Sequence, residues 1–270
     1  MGLTARTDTR SPYAGARRYL FVCGVPRSGT TALALLLNRH PSIGIGIERY
    51  RFFAVGDDAR LYSEELFQTD RFFSYRPEDG AADVFDKYQH VYADLAGKWE
   101  HCLLVGDKVP RLYAAAERVW QKLPGAVFVF IARDVLPVAL SWQRRADDSE
   151  DASWPTSNDF QAGVAEWNRG VAKALELAKR YPRKFYVVSY QALAAGGPAA
   201  LDPLFTALKV PSLLDAGVVA DKVFGESIDA EASEEQLAYV RSHADNRAYQ
   251  ELLRRSVHKC TDRLYRLGSG

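Results

Sequence analysis

Short apolar runs rich in Val and aromatics recur at residues 19–25, 103–105, 126–132 and 185–189. They do not alternate with polar positions, which is how strands buried on both faces of a parallel sheet read. Between them lie segments with helical periodicity at 31–39, 111–123, 135–145, 160–180, 199–208 and 234–257. Gly44-Ile45-Gly46-Ile47 could form a further strand at a sheet edge. Strand and helix taking turns predict an α/β fold with helices on both faces of a parallel sheet.

Two stretches interrupt the alternation. Residues 48–100 are irregular and aromatic, with Tyr50, Phe52, Phe53, Tyr62, Phe67, Phe72, Phe73 and Tyr75. Residues 146–159 are acidic and carry Trp154-Pro155. Insertions in α/β enzymes commonly lie beyond the carboxyl ends of the strands, where ligands bind. Two readings of the aromatics stay open, a helical subcore and an apolar wall for a substrate. The acidic segment around Asp147 and Asp151 reads as a lid or as a solvated loop.

Composition adds bounds. The chain has 270 residues, 47% apolar and 26% charged, which suits a substantial core. We expect a flexible tail over 1–17 and a single domain over 18–270 that includes the insertion at about 48–100. Arg and Lys number 35 against 34 acids, a net charge of +1, so no global field calls for nucleic acid or a membrane surface. Cys23, Cys102 and Cys260 are far apart in sequence and form no metal-binding or disulfide pattern. No apolar run approaches the ~20 residues that span a bilayer. The start of the chain lacks a signal-peptide core, and Arg6 stands where a myristoylation site wants Ser or Thr. The expectation is a soluble cytoplasmic protein of open oligomeric state.

The candidate chemistry begins at Gly24-Val25-Pro26-Arg27-Ser28-Gly29-Thr30-Thr31, between the first strand and the first helix. Strand, glycine-containing loop and helix N-terminus together present backbone N–H groups to an anion. The nucleotide-triphosphate pattern G-x-x-x-x-G-K-[ST] would place Lys at position 30, where this chain has Thr30. That argues for a shorter anionic group. Pro26-Arg27-Ser28-Gly29-Thr30-Thr31 resembles the 5′-phosphosulfate loop of sulfotransferases that use 3′-phosphoadenosine-5′-phosphosulfate (PAPS). The longer stretch, followed by His40-Pro41, is similar to tyrosylprotein-type and related bacterial sulfotransferases. The resemblance implies a P-loop-type three-layer α/β/α sandwich with a mainly parallel central sheet.

A second anion site reads from Arg133, at the end of the strand at 126–132, and Ser141 in the helix that follows. A strand-end Arg and a Ser two turns into the next helix can converge on one phosphate. The pair resembles the family's 3′-phosphate motif. Arg145 lies on the same helical face as Ser141 and is a further candidate for the phosphate. By resemblance Tyr190 lies near the adenosine, PAPS is the donor and PAP the product. The C-terminal glycine loop of the cytosolic enzymes is absent, and Arg254, Arg255, His258 and Lys259 cannot be matched to it residue by residue.

Sulfuryl transfer needs positive charge where the phosphate departs and a base at the acceptor hydroxyl. Arg27 and the loop suit the first task. Lys108 resembles the catalytic lysine of the tyrosylprotein enzymes, and Glu48 falls where they place the base. His101 ranks second as base. Pairings of Lys108 with Asp107, of Arg133 with Asp134 or Asp107, and of Glu48 with Arg49 or Arg51 are the structural alternatives. No metal is expected. The acceptor expected is a hydroxyl of a small or medium-sized metabolite. The alternatives are a tyrosyl peptide as acceptor, a non-catalytic nucleotide-binding protein, and a P-loop kinase or NTPase with Asp107 ending a magnesium-binding strand.

Overall fold

The computed structural model describes residues 17–54, 56–151, 153–218, 224 and 232–258, the side chains of 56 and 57 excepted. The expected N-terminal tail, Lys259 and Cys260 lie outside the described residues, apart from Arg17. Strands β1 (Arg18–Gly24), β2 (Ile43–Ile47), β3 (Leu104–Lys108), β4 (Val127–Ala132) and β5 (Phe185–Ser189) form a parallel sheet in the order β2-β3-β1-β4-β5. Leu20, Phe21, Val22 and Cys23 are fully buried in the middle of it. This is why these positions read as an unbroken apolar run.

The order of strands decides where a ligand can sit. From β1 the chain passes through the helix Thr30–Leu37 to β2 on one side of the sheet. After β3 it crosses to β4 on the other side of β1. The loops leaving β1 and β4 therefore diverge at one crevice outside the carboxyl edge, the place where open α/β sheets bind ligands.

The aromatic stretch folds as a succession of short helices, among them Arg51–Ala54, Glu64–Phe67, Thr69–Phe73, Ala82–Lys87 and Gln89–Ala96. Tyr50, Tyr62, Phe67, Phe72 and Trp99 are fully buried, which favours the subcore reading for these rings. Phe21 of β1 meets Tyr62 edge-on at 5.4 Å, and Phe72 stacks on Trp99 at 3.9 Å. Phe52 stays half exposed. A buried Arg49 guanidinium donates to Asp79 at 2.5 Å and to the carbonyls of Phe72 and Ser74 at 2.9 and 2.6 Å, while Arg71 reaches the same Asp79 carboxylate. The charge is buried, but its partners are all present, as burial of an ion requires.

Some elements differ from the sequence expectation for local reasons. The segment 111–123 begins as a 3-10 helix, Pro110–Ala115, and becomes α-helical only at Ala116–Lys122. The segment 234–257 is two helices, Glu234–His243 and Asn246–Leu253. Ala244 is extended, and the Asp245 carboxylate caps the second helix by accepting from the Ala248 amide at 2.9 Å. A short helix not expected from sequence, Tyr190–Gly196, starts directly at the end of β5, capped by the Ser189 hydroxyl.

Gly106 in β3 lies so close to β1 that a Cβ there would stand 1.8 Å from the Leu20 carbonyl oxygen and 2.7 Å from its carbon. Backbone cannot yield as a flexible side chain does. Gly106→Ala is expected to cost more than about 3 kcal/mol of stability, measured by urea unfolding. A change below about 0.5 kcal/mol would contradict the packing of β1 on β3.

Candidate active site

The loop after β1 is a tight turn followed by a helix start. Ser28 donates its amide to the Val25 carbonyl at 3.0 Å. Arg27 has φ 77° and Gly29 φ 96°, and the helix opens at Thr30. For Arg27 the left-handed conformation is unusual and concentrates where a backbone serves a function. Thr30 and Thr31 occupy the first helical turn, whose amides have no partner within the helix. The Ser28 hydroxyl is buried and makes no hydrogen bond among the described residues. A buried hydroxyl left in that state calls for an explanation, and an anion held by the loop supplies one.

The two anion motifs meet. Arg27 Nε donates to Ser141 Oγ at 2.8 Å, across 114 residues of sequence. Arg133 Nη1 donates to the Arg27 carbonyl at 3.2 Å, and its guanidinium lies over the Tyr190 ring at 4.0 Å. Indole donors fix both backbones: Trp142 Nε1 to the Pro26 carbonyl at 3.1 Å and Trp167 Nε1 to the Arg133 carbonyl at 2.8 Å. Arg27, Ser28, Gly29, Thr30, Thr31, Arg133, Ser141 and Tyr190 thus belong to one neighbourhood around the β1/β4 crevice.

Arg145 is held differently from the expectation. Its Nε donates to Asp151 at 2.6 Å and its guanidinium lies 4.4 Å from the centre of the Trp154 ring. The acidic segment is therefore tied down at Asp151 by Arg145. Arg144, which sequence reasoning passed over, is exposed on the same helix. Burial lowers the Arg27 pKa from its ordinary value, and the positive charges of Arg145, Arg144 and Arg133 lower it further. Burial likewise lowers Arg133, with Arg144 adding to the effect. Like charges gathered in this way repel one another and gain when an anion arrives. The site thereby fits a multiply charged phosphate ligand. The only sequence signal for Arg144 was the doubled arginine in the last turn of the helix.

The second cluster stands at the end of β2 and β3. Ile47 pairs with Lys108 in the parallel ladder, and Val22 of β1 pairs with Lys108 on its other side. Lys108 therefore lies close to the point where the loop leaves β1. Its ammonium is almost fully buried and donates to Glu48 Oε1 at 2.7 Å, while the Glu48 side chain is one-fifth exposed. Arg51 approaches the other Glu48 oxygen at 3.7 Å from a half-exposed position. Glu48 is a second non-glycine residue in the left-handed region, at φ 54°. Lys108 therefore pairs with Glu48 rather than Asp107, and Arg49 turns away to Asp79.

Asp107 itself is fully buried, and its two oxygens accept the amides of Arg49 and Tyr50 at 3.1 and 2.8 Å. Both are used by backbone, contrary to its reading as a magnesium-binding strand end. His101 is exposed in the short 3-10 helix Trp99–His101, at the amino end of β3. In a parallel sheet that is the edge opposite Lys108, so the second candidate base lies away from the cluster. Among the described residues no group of three or more His, Cys, Asp or Glu is arranged to hold a metal ion, and no helix is long and apolar enough to cross a membrane.

Comparison with known proteins agrees with this architecture. Residues 20–215 match the sulfotransferase family, and the chain belongs to that family. No curated protein matches it in sequence. Among solved structures it is similar to a sulfotransferase from Alicyclobacillus acidocaldarius, 19% identical over 87% of this chain and 100% of that one, with a TM-score of 0.50. It is also similar to the sulfotransferase domain of the curacin biosynthetic pathway, at 17% identity, 87% and 96% coverage and a TM-score of 0.49. The sulfotransferase domain of the Synechococcus PCC 7002 olefin synthase gives 18%, 85%, 86% and 0.48. The protein is accordingly a sulfotransferase with the P-loop-type α/β fold.

Burial pushes the Asp107 carboxyl up to about 6 from its ordinary 3.8, against the two amides and Lys108, which lower it; the Glu48 charge adds to the rise. The folded chain holds this proton more tightly than the unfolded one. Its contribution to stability is complete below about pH 4 and is lost as pH rises through about 6. The stability of wild type relative to Asp107→Asn is expected to fall by up to about 3 kcal/mol between about pH 4 and about pH 7, read from urea melts across that range. A difference that stays flat, or grows with pH, would contradict the burial of this charge.

Proposed function

We propose that the protein transfers a sulfuryl group from PAPS to a hydroxyl of a small or medium-sized metabolite, releasing PAP. The observation that carries the reading is the contact at 2.7 Å between buried Lys108 and partly exposed Glu48, set at the carboxyl edge of the sheet beside a phosphate-type loop. Family membership supports PAPS as donor. PAPS supplies the sulfuryl group, and the residues of this chain bind, orient and handle charge and proton.

In this reading the amides of the loop, Arg27 and the hydroxyls of Ser28, Thr30 and Thr31 hold the 5′-phosphosulfate. Arg133 and Ser141 hold the 3′-phosphate, with Tyr190 beside the adenosine and Arg145 as a further contact once it leaves Asp151. The Arg27–Ser141 hydrogen bond supports a single ligand spanning both motifs. Glu48 takes the proton of the acceptor hydroxyl as the acceptor oxygen bonds to sulfur and the sulfur–oxygen bond to the phosphate breaks. Lys108 stabilises the negative charge left on that phosphate oxygen. Its present partner is Glu48, and in this reading one cation serves both base and leaving group. Half-exposed Arg51 stands 3.7 Å from the second Glu48 oxygen and would be met by an incoming acceptor.

Calorimetric titration with PAP in EDTA, with ATP and AMP as comparators, tests the donor. Tight PAP binding is expected, weakened about tenfold or more in Arg133→Ala and Ser141→Ala, the loss of a charge-assisted contact to phosphate. Binding of ATP that requires Mg²⁺, without binding of PAP, would overturn the reading. Once an acceptor is found by screening hydroxyl compounds, Glu48→Ala and Lys108→Ala are each expected to lower kcat by about 100-fold or more. Glu48→Ala should keep PAP affinity within about threefold of wild type. Turnover that survives both changes would show that the chemistry lies elsewhere. Turnover in EDTA is expected to match turnover with added Mg²⁺, and a strict need for the metal would count against the mechanism.

A further inference from the structure

Glu48 is placed by an unusual piece of backbone. The chain leaves β2 at Ile47 and turns at once through Glu48 in the left-handed region, φ 54°. A non-glycine residue there costs about 1–2 kcal/mol, so something must hold it. The Glu48 amide donates to the Lys108 carbonyl at 2.8 Å and extends the β2–β3 ladder by one step. The next two amides, Arg49 and Tyr50, both donate to Asp107, one to each carboxylate oxygen. Successive strand residues point to opposite faces. Lys108 therefore takes the Glu48 side chain while Asp107, its neighbour, takes the backbone beyond it.

The space for this carboxylate is made by Gly46, the ladder partner of Asp107. A Cβ at Gly46 would stand 3.0 Å from Phe72 Cζ and 3.1 Å from both Asp107 Oδ1 and Arg49 Cβ. On the outer side Gly80 packs against the same turn, where a Cβ would be 2.9 Å from the Glu48 carbonyl oxygen. Asp107 has no exposed surface. What it touches is the pair of amides that fixes the direction of Glu48.

We propose that Asp107 is a positioning residue for sulfuryl transfer: its buried carboxylate clamps the Arg49 and Tyr50 amides and so keeps the strained Glu48 against Lys108. The proposal rests on the reading of Glu48 and Lys108 as the reacting pair. Asn at this position keeps the shape but offers one acceptor oxygen, and its amide group meets a backbone N–H donor to donor.

The experiment is a double-mutant cycle with a structural readout. Asp107→Asn is expected to lower kcat by about 100-fold, the scale of a misplaced catalytic group, with PAP affinity within about threefold of wild type. In the Glu48→Ala background the same change is expected to cost no more than about twofold, since the residue it positions is gone. Hydrogen exchange at the Arg49 and Tyr50 amides should accelerate about tenfold or more relative to the amides of β1. Unchanged kcat, an equal loss in the Glu48→Ala background, PAP affinity falling in step with kcat, or unchanged exchange at the two amides would each overturn the proposal. If Asp107→Asn does not fold, Gly46→Ala crowds the carboxylate while keeping its charge. The same separation of kcat from PAP affinity is expected there, and its absence overturns the clamp. Full turnover in Glu48→Ala is a distinct result: it removes the base assignment, and amide exchange then decides the clamp alone.

Discussion

The parallel pairing of the sheet governs where every candidate residue of this molecule comes to lie. Because β1 lies between β3 and β4 and every neighbour runs the same way, all strands end on one edge. Each strand end carries a different part of the candidate site. The loop follows β1, Glu48 follows β2, Lys108 closes β3, Arg133 follows β4 and Tyr190 follows β5. Residues scattered across the sequence become neighbours through a ladder whose register is set by buried apolar side chains. Gly106 allows β3 to approach β1 closely enough for that ladder to form.

On this edge the molecule accepts arrangements that are unfavourable in isolation. Arg27 and Glu48 both occupy the left-handed region, and Arg27, Arg133, Arg144 and Arg145 crowd positive charge around one crevice. Asp107 is buried as a carboxylate. Each is tolerated because its surroundings are rigid: two indoles grip the backbone of the loop and of Arg133, and two amides grip Asp107. Strain and gathered positive charge held in place by a stiff scaffold are what a site prepared for an anionic ligand requires.

The parts of the site legible in sequence were those whose chemistry is local. The turn with Arg27 and Ser28 sits in one contiguous stretch, and Arg133 and Ser141 share one strand–helix unit. Glu48 and Lys108 could each be named, but their contact depends on Ile47 lying opposite Lys108, a matter of register across 60 residues. The partner of Arg145 was missed because Asp151 belongs to an acidic stretch with several equivalent carboxylates. The work of Asp107 was hidden because it is done on backbone amides, which leave no trace in residue type. For the fold, β1, β4 and β5 were plain from their apolar runs, whereas glycine-alternating β2 and the Gly106-Asp107-Lys108 end of β3 were not. The break at Ala244 was not, since a capping Asp inside a periodic stretch reads as one more polar position. Buried rings of the insertion, such as Tyr62 and Phe72, proved to be core, whereas Phe52 remains at the surface.

The buried Arg49–Asp79 contact has a consequence for how such an enzyme can be altered. Arg49 is the residue next to Glu48, yet its guanidinium is seated deep inside the aromatic insertion, against Asp79 and the carbonyls of Phe72 and Ser74. The insertion is thus riveted to the residue beside Glu48, and it cannot be exchanged as a cassette. A graft meant to change the acceptor would have to bring its own socket for Arg49 and its own close-fitting residue in place of Gly80. Substitutions at exposed positions such as Phe52 and Arg51 leave this buried joint in place.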